Sequence, residues 1–262
     1  MRLWSSGVAC WSDYAGHARV PAPLDSLLRA AIAGASDAYA ARDVGRLAAL
    51  LPAREHWRLF GEFADAAAYL DIETSDDAVG FEHISAIGVL DQHGPRILLA
   101  ERDLQLFPEL ARSWRLLVTF NGGSYDLPIL RRAFPEWQPP LAHVDLRHVL
   151  PRLGHRGTLK DVEQRLSALH LARPSHLAEL SGFGAARLFR QGQAGDRAAR
   201  RRFAEYNLYD VIGLRTLAAF AHNELLEQLA ARAPALREQA SKVAVPGRGD
   251  VLYDVSKILL EL

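Results

Sequence analysis

Lysine is nearly absent. It occurs at Lys160, Lys242 and Lys257 and nowhere else, so arginine carries almost all of the basic charge. Arginine forks match phosphate oxygens better than ammonium groups do. Cysteine is scarcer still: Cys10 stands alone, which excludes a disulfide framework or a cysteine-based zinc site within one chain. No apolar run approaches the ~20 residues that cross a bilayer, and the N-terminal residues 1–6 hold no continuous apolar segment. Neither a membrane span nor a signal peptide is therefore expected, and a cytoplasmic location follows by default. Net charge is absent too, with 31 basic against 31 acidic residues. That removes any global pull toward nucleic acid or membrane, but not a local grip on a few nucleotides. No glycine-rich turn follows the first strand pattern, which argues against a dinucleotide-binding domain.

What remains is an ordinary globular composition, with 49% hydrophobic residues in 262. Residues 1–60 read as a helical extension. Trp4, Trp11 and Tyr14 are scattered, Pro21 and Pro23 interrupt the chain, and helical spacing follows over 24–33 and from Asp43 to Leu51. Trp57, Phe60 and Phe63 form a third piece that packs on the main domain. That domain spans 61–230. Strands are expected at 67–73, 83–90, 95–100, 115–120 and 141–146, with turns at 75–80 and 91–94. Helices are expected at 104–114, 124–134, 159–169, 185–190 and 196–230, with 170–184 as loop. Strands first, then alternation, then helices give an α/β layout with one mixed sheet. Residues 231–262 form a tail with a turn at 246–250 and apolar positions that could return to the core.

Three stretches carry acids where acids are costly. Asp71 and Glu73 end the apolar strand Ala67-Ala68-Tyr69-Leu70-Asp71-Ile72-Glu73-Thr74 and point to the same face. Two like charges there need something positive between them, a divalent metal being the simplest choice; the alternative is a turn-capping Asp beside an exposed Glu. Asp126 follows Asn121-Gly122-Gly123-Ser124-Tyr125 just past a central strand, where ligands of open α/β sheets collect and where a helix dipole alone would also favour an acid. Tyr206 and Asp210 share one face of the long helix. Asp210 sits beside apolar Val211 and Ile212, so it needs a partner, either a metal or an arginine.

Together, Asp-x-Glu, a Gly-turn Asp and Tyr-x-x-x-Asp resemble the three exonuclease motifs of the DEDD superfamily in its tyrosine variant. Phe120 to Asp126 is similar to the second motif of family B polymerase proofreading domains. The wider layout resembles the YprB-type RNase H-like proteins through Glu55-His56-Trp57-Arg58-Leu59-Phe60, His143-Val144-Asp145-Leu146, Thr158-Leu159-Lys160-Asp161-Val162-Glu163 and Tyr206-Asn207-x-x-Asp210-Val211. The resemblance covers about residues 55–225. One departure is Ser75-Asp76 after Thr74, where many relatives carry Thr-Gly.

The resemblance implies an RNase H-like five-stranded mixed sheet. It also implies 3′→5′ hydrolysis of DNA or RNA phosphodiesters by two Mg²⁺ or Mn²⁺ ions. Asp71, Glu73, Asp126 and Asp210 would be the metal ligands, with Asp71 bridging and Asp126 serving the second ion. Tyr206 would orient the attacking water. Thr74, Asn121 and Tyr125 flank these ligands and are expected to touch the terminal nucleotide. Arg197, Arg200, Arg201 and Arg202 either hold the phosphate backbone or form a solvated face. His83, His143, Asp145 and His170 read as structural or supporting. The expected partner is a single strand or 3′ end, with no membrane. The competing class is a binding module that does not cut; an RNase H-like endonuclease is the third option.

Overall fold

The computed structural model describes residues 10–14, 20–76, 82–169, 171, 173–232, 242–246 and 249–262. Trp4, His170, residues 77–80 of the expected turn and residues 247–248 of the tail turn lie outside them.

The chain opens with helices α1 (Ala22–Ala40), α2 (Val44–Ala49) and, after a 3₁₀ stretch at Ala53–Leu59, the short α3 (Phe60–Phe63). Asp43 starts α2 by accepting the Arg46 N–H at 3.0 Å. The strands are β1 (Ala67–Asp76), β2 (Glu82–Asp91), β3 (Gly94–Leu99), β4 (Leu116–Thr119) and β5 (Ala142–Asp145). They form one five-stranded sheet in the order β3-β2-β1-β4-β5. The β1–β2 and β2–β3 pairs are antiparallel; β1–β4 and β4–β5 are parallel. Helices α4 (Phe107–Ala111), α5 (Asp126–Ala133), α6 (Leu146–Val149), α7 (Leu159–Arg165), α8 (Ser175–Ala178), α9 (Gly182–Gln193), α10 (Arg197–Arg232) and α11 (Gly249–Leu260) complete the chain. This is the mixed sheet flanked by helices, with a helical N-terminal extension, that the sequence led us to expect. The stretch 170–184 is less loop-like than its glycines and proline suggested: α8 lies within it, and α9 begins three residues earlier than expected.

Alternation along β1 splits the apolar residues between two cores. Ala67 and Tyr69 face a core shared with α10, the 3₁₀ stretch and α9. Ala68, Leu70 and Ile72 face a second core shared with α4 and α5. Trp57, Phe60 and Phe63 are fully buried in the first core, so the extension packs directly on the sheet. His56 fastens it further. Its Nδ1 accepts the His143 N–H of β5 at 3.3 Å, which leaves Nε2 to donate to the Ala48 carbonyl at 3.2 Å. The tail also returns: Val255 is buried, and Ile258 and Leu259 pack against the same core. Among the described residues no helix is long and apolar enough to cross a membrane.

The second core is centred on Phe107, whose ring lies 4.9 Å from Trp137, 5.1 Å from Phe134 and 5.8 Å from Trp114. Phe107 is fully buried, so Phe107→Ala leaves a cavity and costs about 3–5 kcal/mol. A urea titration should show the midpoint falling accordingly, with Phe107→Leu recovering most of the loss. A shift near zero for Phe107→Ala would mean that this aromatic cluster is not a structural centre.

Candidate active site

On the β1 face that meets α10, the apolar alternation stops after Tyr69 and continues as Asp71 and Glu73. A register shift at Glu73/Thr74 interrupts the ladder with β2 there. It leaves Ser85 of β2 without an opposite number, and the Ser85 hydroxyl donates to the Glu73 carbonyl at 3.0 Å. Bulges of this kind re-aim side chains next to functional sites. Helix α10 crosses the sheet with residues 206–212 all buried. One turn of it brings Tyr206 and Asp210 to the acids. Carboxylate oxygens of Asp71, Glu73 and Asp210 all lie within 4.8 Å of one another.

Asn207 holds the first of these acids in place. Its Nδ2 donates to Asp71 Oδ2 at 2.9 Å and reaches the Asp71 carbonyl at 3.4 Å. Room for it comes from Gly88, which stands opposite Asp71 in the ladder. A Cβ at Gly88 would collide with the Asn207 amide and approach Val211 Cγ2 to 2.8 Å. Asn207 Oδ1 is buried with no partner among the described residues. A desolvated, half-satisfied amide costs free energy, so its position is set by the carboxylate it serves.

Asp126 arrives from the opposite side, at the start of α5. Its Oδ1 accepts the Ile72 N–H at 3.1 Å, which ties it to the middle of the Asp71–Glu73 segment. It lines the same cavity but stands outside the tight group of three. The turn before it is built by backbone geometry. Asn121 adopts φ 66°, a conformation that Asn tolerates better than most residues. Asp145 clamps the turn by accepting the Asn121 N–H at 2.7 Å and the Gly123 N–H at 3.0 Å. Gly122 has no room for a Cβ against Thr119, whose hydroxyl lies 2.9 Å from His143 Nε2. His143 and Asp145 thus shape the turn that delivers Asp126.

The acids share a cavity of about 400 Å³ with Asn121, Tyr125, Lys160, Tyr206, Ser181 and Gly182. Thr74 Oγ1 lies 2.7 Å from the Tyr125 hydroxyl, and Tyr125 is partly exposed at the rim. Burial, then the charges of Asp210, Asp126 and Glu73, push the Asp71 carboxyl well above its ordinary range. Burial and the neighbouring acids lift Glu73 to about 8. Burial lifts Asp126 to about 7 against the stabilising N–H of Ile72. Burial and the same acids raise the Tyr206 phenol, so it stays protonated at neutral pH.

Two cations answer part of this repulsion, and neither was singled out as a site residue from sequence. The Arg173 guanidinium is buried between Glu163, at 2.7 Å, and Asp210. The arginine partner weighed for Asp210 therefore exists, but Asp210 remains in the acid group all the same. Lys160, one helical turn before Glu163 on α7, places its ammonium 4.8 Å from the centre of the Tyr206 ring. Burial, and next to it the Arg173 charge, lower the Lys160 pKa. Thr158 fixes α7 by a capping box with Asp161. Glu163 neutralises half of what these cations bring, so negative charge still predominates. A water-accessible set of oxygen donors with uncompensated charge fits a hard divalent ion such as Mg²⁺ or Mn²⁺.

Of the arginines at the head of α10, Arg200 is engaged by Glu101 at 3.4 Å and Arg202 by the His176 carbonyl; Arg197 and Arg201 are exposed. Residues 68–221 match a family model described as the RNase H superfamily. No curated protein and no solved structure matches the chain at a significant level.

The raised carboxyls have a consequence for stability. The folded protein binds protons at Glu73 and Asp126 that the unfolded chain releases above its ordinary carboxyl pKa of about 4. Stability therefore falls as pH rises from about 4, through about 7 for Asp126 and about 8 for Glu73, and levels off above that. Chelator-treated protein should melt several degrees lower at about pH 8.5 than at about pH 5.5, with a smaller drop in Glu73→Gln. Added Mn²⁺ should restore the wild type at the higher pH and leave the melting temperature of Glu73→Gln unchanged. Identical pH curves for the two proteins would show that the acids do not repel one another.

Proposed function

The chain belongs to the RNase H superfamily, and from that premise we propose that it is a metal-dependent 3′→5′ exonuclease of DNA or RNA. Superfamily members are nucleases, and a buried acidic cluster suits that chemistry. The observation that carries the finer reading is the gathering of Asp71, Glu73 and Asp210 within 4.8 Å, one helical turn from Tyr206. The order of the motifs supports the DEDD tyrosine variant and the YprB-type layout.

Asp71, Glu73, Asp126 and Asp210 would hold two Mg²⁺ or Mn²⁺ ions. Bound there, the ions supply an acidified water and neutralise charge growing on the phosphate. Asn207 keeps the Asp71 carboxylate turned into the cavity. Arg173 fixes one oxygen of Asp210 and leaves the other to the cavity. Tyr206 keeps its proton, so it serves as a hydrogen-bond donor that orients the water and does not remove its proton. Lys160 sits where a phosphate oxygen would arrive. Asn121 and Tyr125 line the cavity where the terminal nucleotide would rest, and Tyr125 offers a partly exposed ring for stacking. Thr74 is not among the lining residues and would act only through its hydrogen bond to the Tyr125 hydroxyl. A module that only bound nucleic acid would gain nothing from buried carboxylates that repel phosphate.

The decisive experiment follows products from 5′-labelled single strands of DNA and RNA with Mg²⁺. The expected result is a ladder that shortens one nucleotide at a time from the 3′ end and vanishes with chelator. Asp71→Asn and Asp210→Asn should each lose about a thousandfold or more in rate, and Tyr206→Phe about tenfold to a hundredfold. Equal product from wild type and Asp71→Asn would remove the enzymatic reading. Unchanged cutting of a 3′-blocked strand would replace it with an endonuclease.

A further inference from the structure

A second cavity, of about 650 Å³, lies beyond Thr74. Ser75, Ile84, Ile129, Arg132, Phe189 and Arg190 contribute to its lining. The same three elements serve both cavities. Strand β1 passes from Asp71 and Glu73 in the acid cavity to Ser75 in the second. Helix α5 passes from Asp126 to Ile129 and Arg132, and α9 from Gly182 to Phe189 and Arg190. The two cavities have no lining residue in common, but they follow one another along the same strand and the same two helices, and the pair is termed the trough. The six steps from Asp126 to Arg132 advance ~9 Å along a helix. An extended, unstacked single strand lacks the ~3.4 Å stacked rise of a duplex and covers that length in about one to two nucleotides.

The chemistry changes along the trough. The acid end is anionic. The far end has no carboxylate among its described lining residues, and it pairs an apolar floor with two guanidiniums. Arg132 and Arg190 are exposed and make no ion pair among the described residues, unlike Arg173 and Arg200 nearby. Arginine forks suit phosphate oxygens, while Ile84, Ile129 and Phe189 suit the faces of sugars and unstacked bases. A duplex hides those faces, and a single strand presents them.

We propose that this second cavity is a subsite for single-stranded nucleic acid. It holds the backbone one or two nucleotides from the phosphate being cut, with Arg132 and Arg190 on its phosphates. The proposal rests on the nuclease reading above and extends it to substrate length and strandedness. It also accounts for how a chain of zero formal charge can grip nucleic acid: the positive charge is local to the trough.

The test uses the full chain, the double variant Arg132→Gln/Arg190→Gln, and Arg187→Gln as a control on the same helix. One substrate is the p-nitrophenyl ester of thymidine 5′-monophosphate, which reaches only the acid cavity. The others are oligothymidylates and oligouridylates from dinucleotide to decanucleotide, and a blunt duplex. For wild type, KM should fall with length and level off near the tetranucleotide, with single strands preferred to duplex. The double variant should raise KM for the decanucleotide about tenfold or more, leave kcat within about twofold, and leave the ester unchanged. By fluorescence anisotropy without divalent ions, its salt slope on the decanucleotide should fall by ~1.4, the value for two phosphate contacts on a single strand. The control should match wild type. Unchanged KM and salt slope in the double variant would overturn the subsite, even with hydrolysis intact. Salt-dependent binding lost in the double variant, with no hydrolysis of any substrate, would sink the nuclease reading and keep the subsite.

Discussion

The site depends on one electrostatic constraint. Asp71, Glu73 and Asp210 stand within 4.8 Å of one another, beside a strand segment, 67–72, whose other side chains are apolar. Carboxylates so close cannot all be charged unless cations come among them or protons return to them. The protein supplies part of the compensation itself. Arg173 is driven into the interior and held by Glu163 against Asp210. Lys160 is drawn over Tyr206. What these two cannot neutralise is what a hard divalent ion can, and the surrounding fold is built to keep the acids close despite the cost.

That construction explains features that otherwise look unrelated. Gly88 is a small residue in the middle of a buried strand, where glycine weakens pairing. It is there because Asn207 must pass over it to reach Asp71. The bulge at Ser85 of β2, opposite Glu73, and the Ser85 hydroxyl on the Glu73 carbonyl fix the second acid. Asp145 and His143, on the neighbouring strand, hold the Asn121–Gly123 turn, and through it the start of α5 and Asp126. The acids come from three separated segments, and each is braced from another part of the chain: Asp71 by Asn207 of α10, Glu73 by Ser85 of β2, Asp126 through Asp145 of β5 and Asp210 by Arg173.

The sequence was most informative where one residue decides its own environment. An acid ending the run at 67–74, an acid after Asn-Gly-Gly and an acid on a buried helix face are each legible because apolar neighbours make them costly. The strands were legible for the same reason, since β-branched and aromatic runs bounded by turns have few other uses. Arg173 was not legible. It stands next to Pro174 in a stretch with no period, and only the folded chain shows that its guanidinium reaches Asp210 of α10. Asn207 stood in a motif, but its task depends on Gly88, more than a hundred positions away in the chain. Pairs of that kind leave no local pattern.

The same limit applies to the trough. Arg132 and Arg190 sit near the carboxyl ends of two helices, where basic residues are favoured by the helix dipole alone, so in sequence they read as ordinary caps. Only when residues of β1, α5 and α9 are seen to line the same two cavities do these arginines come to share one site. The arginines that sequence spacing favoured, at the head of α10, are in part already engaged, Arg200 by Glu101 and Arg202 by a carbonyl. A guanidinium that is committed to the protein must break that bond before it can hold a phosphate, and the exchange returns little. Cations that the fold leaves unpaired beside an apolar floor carry no such cost. On this argument, the grip on substrate is set less by how many arginines the chain carries than by which of them the acids of the protein have left alone.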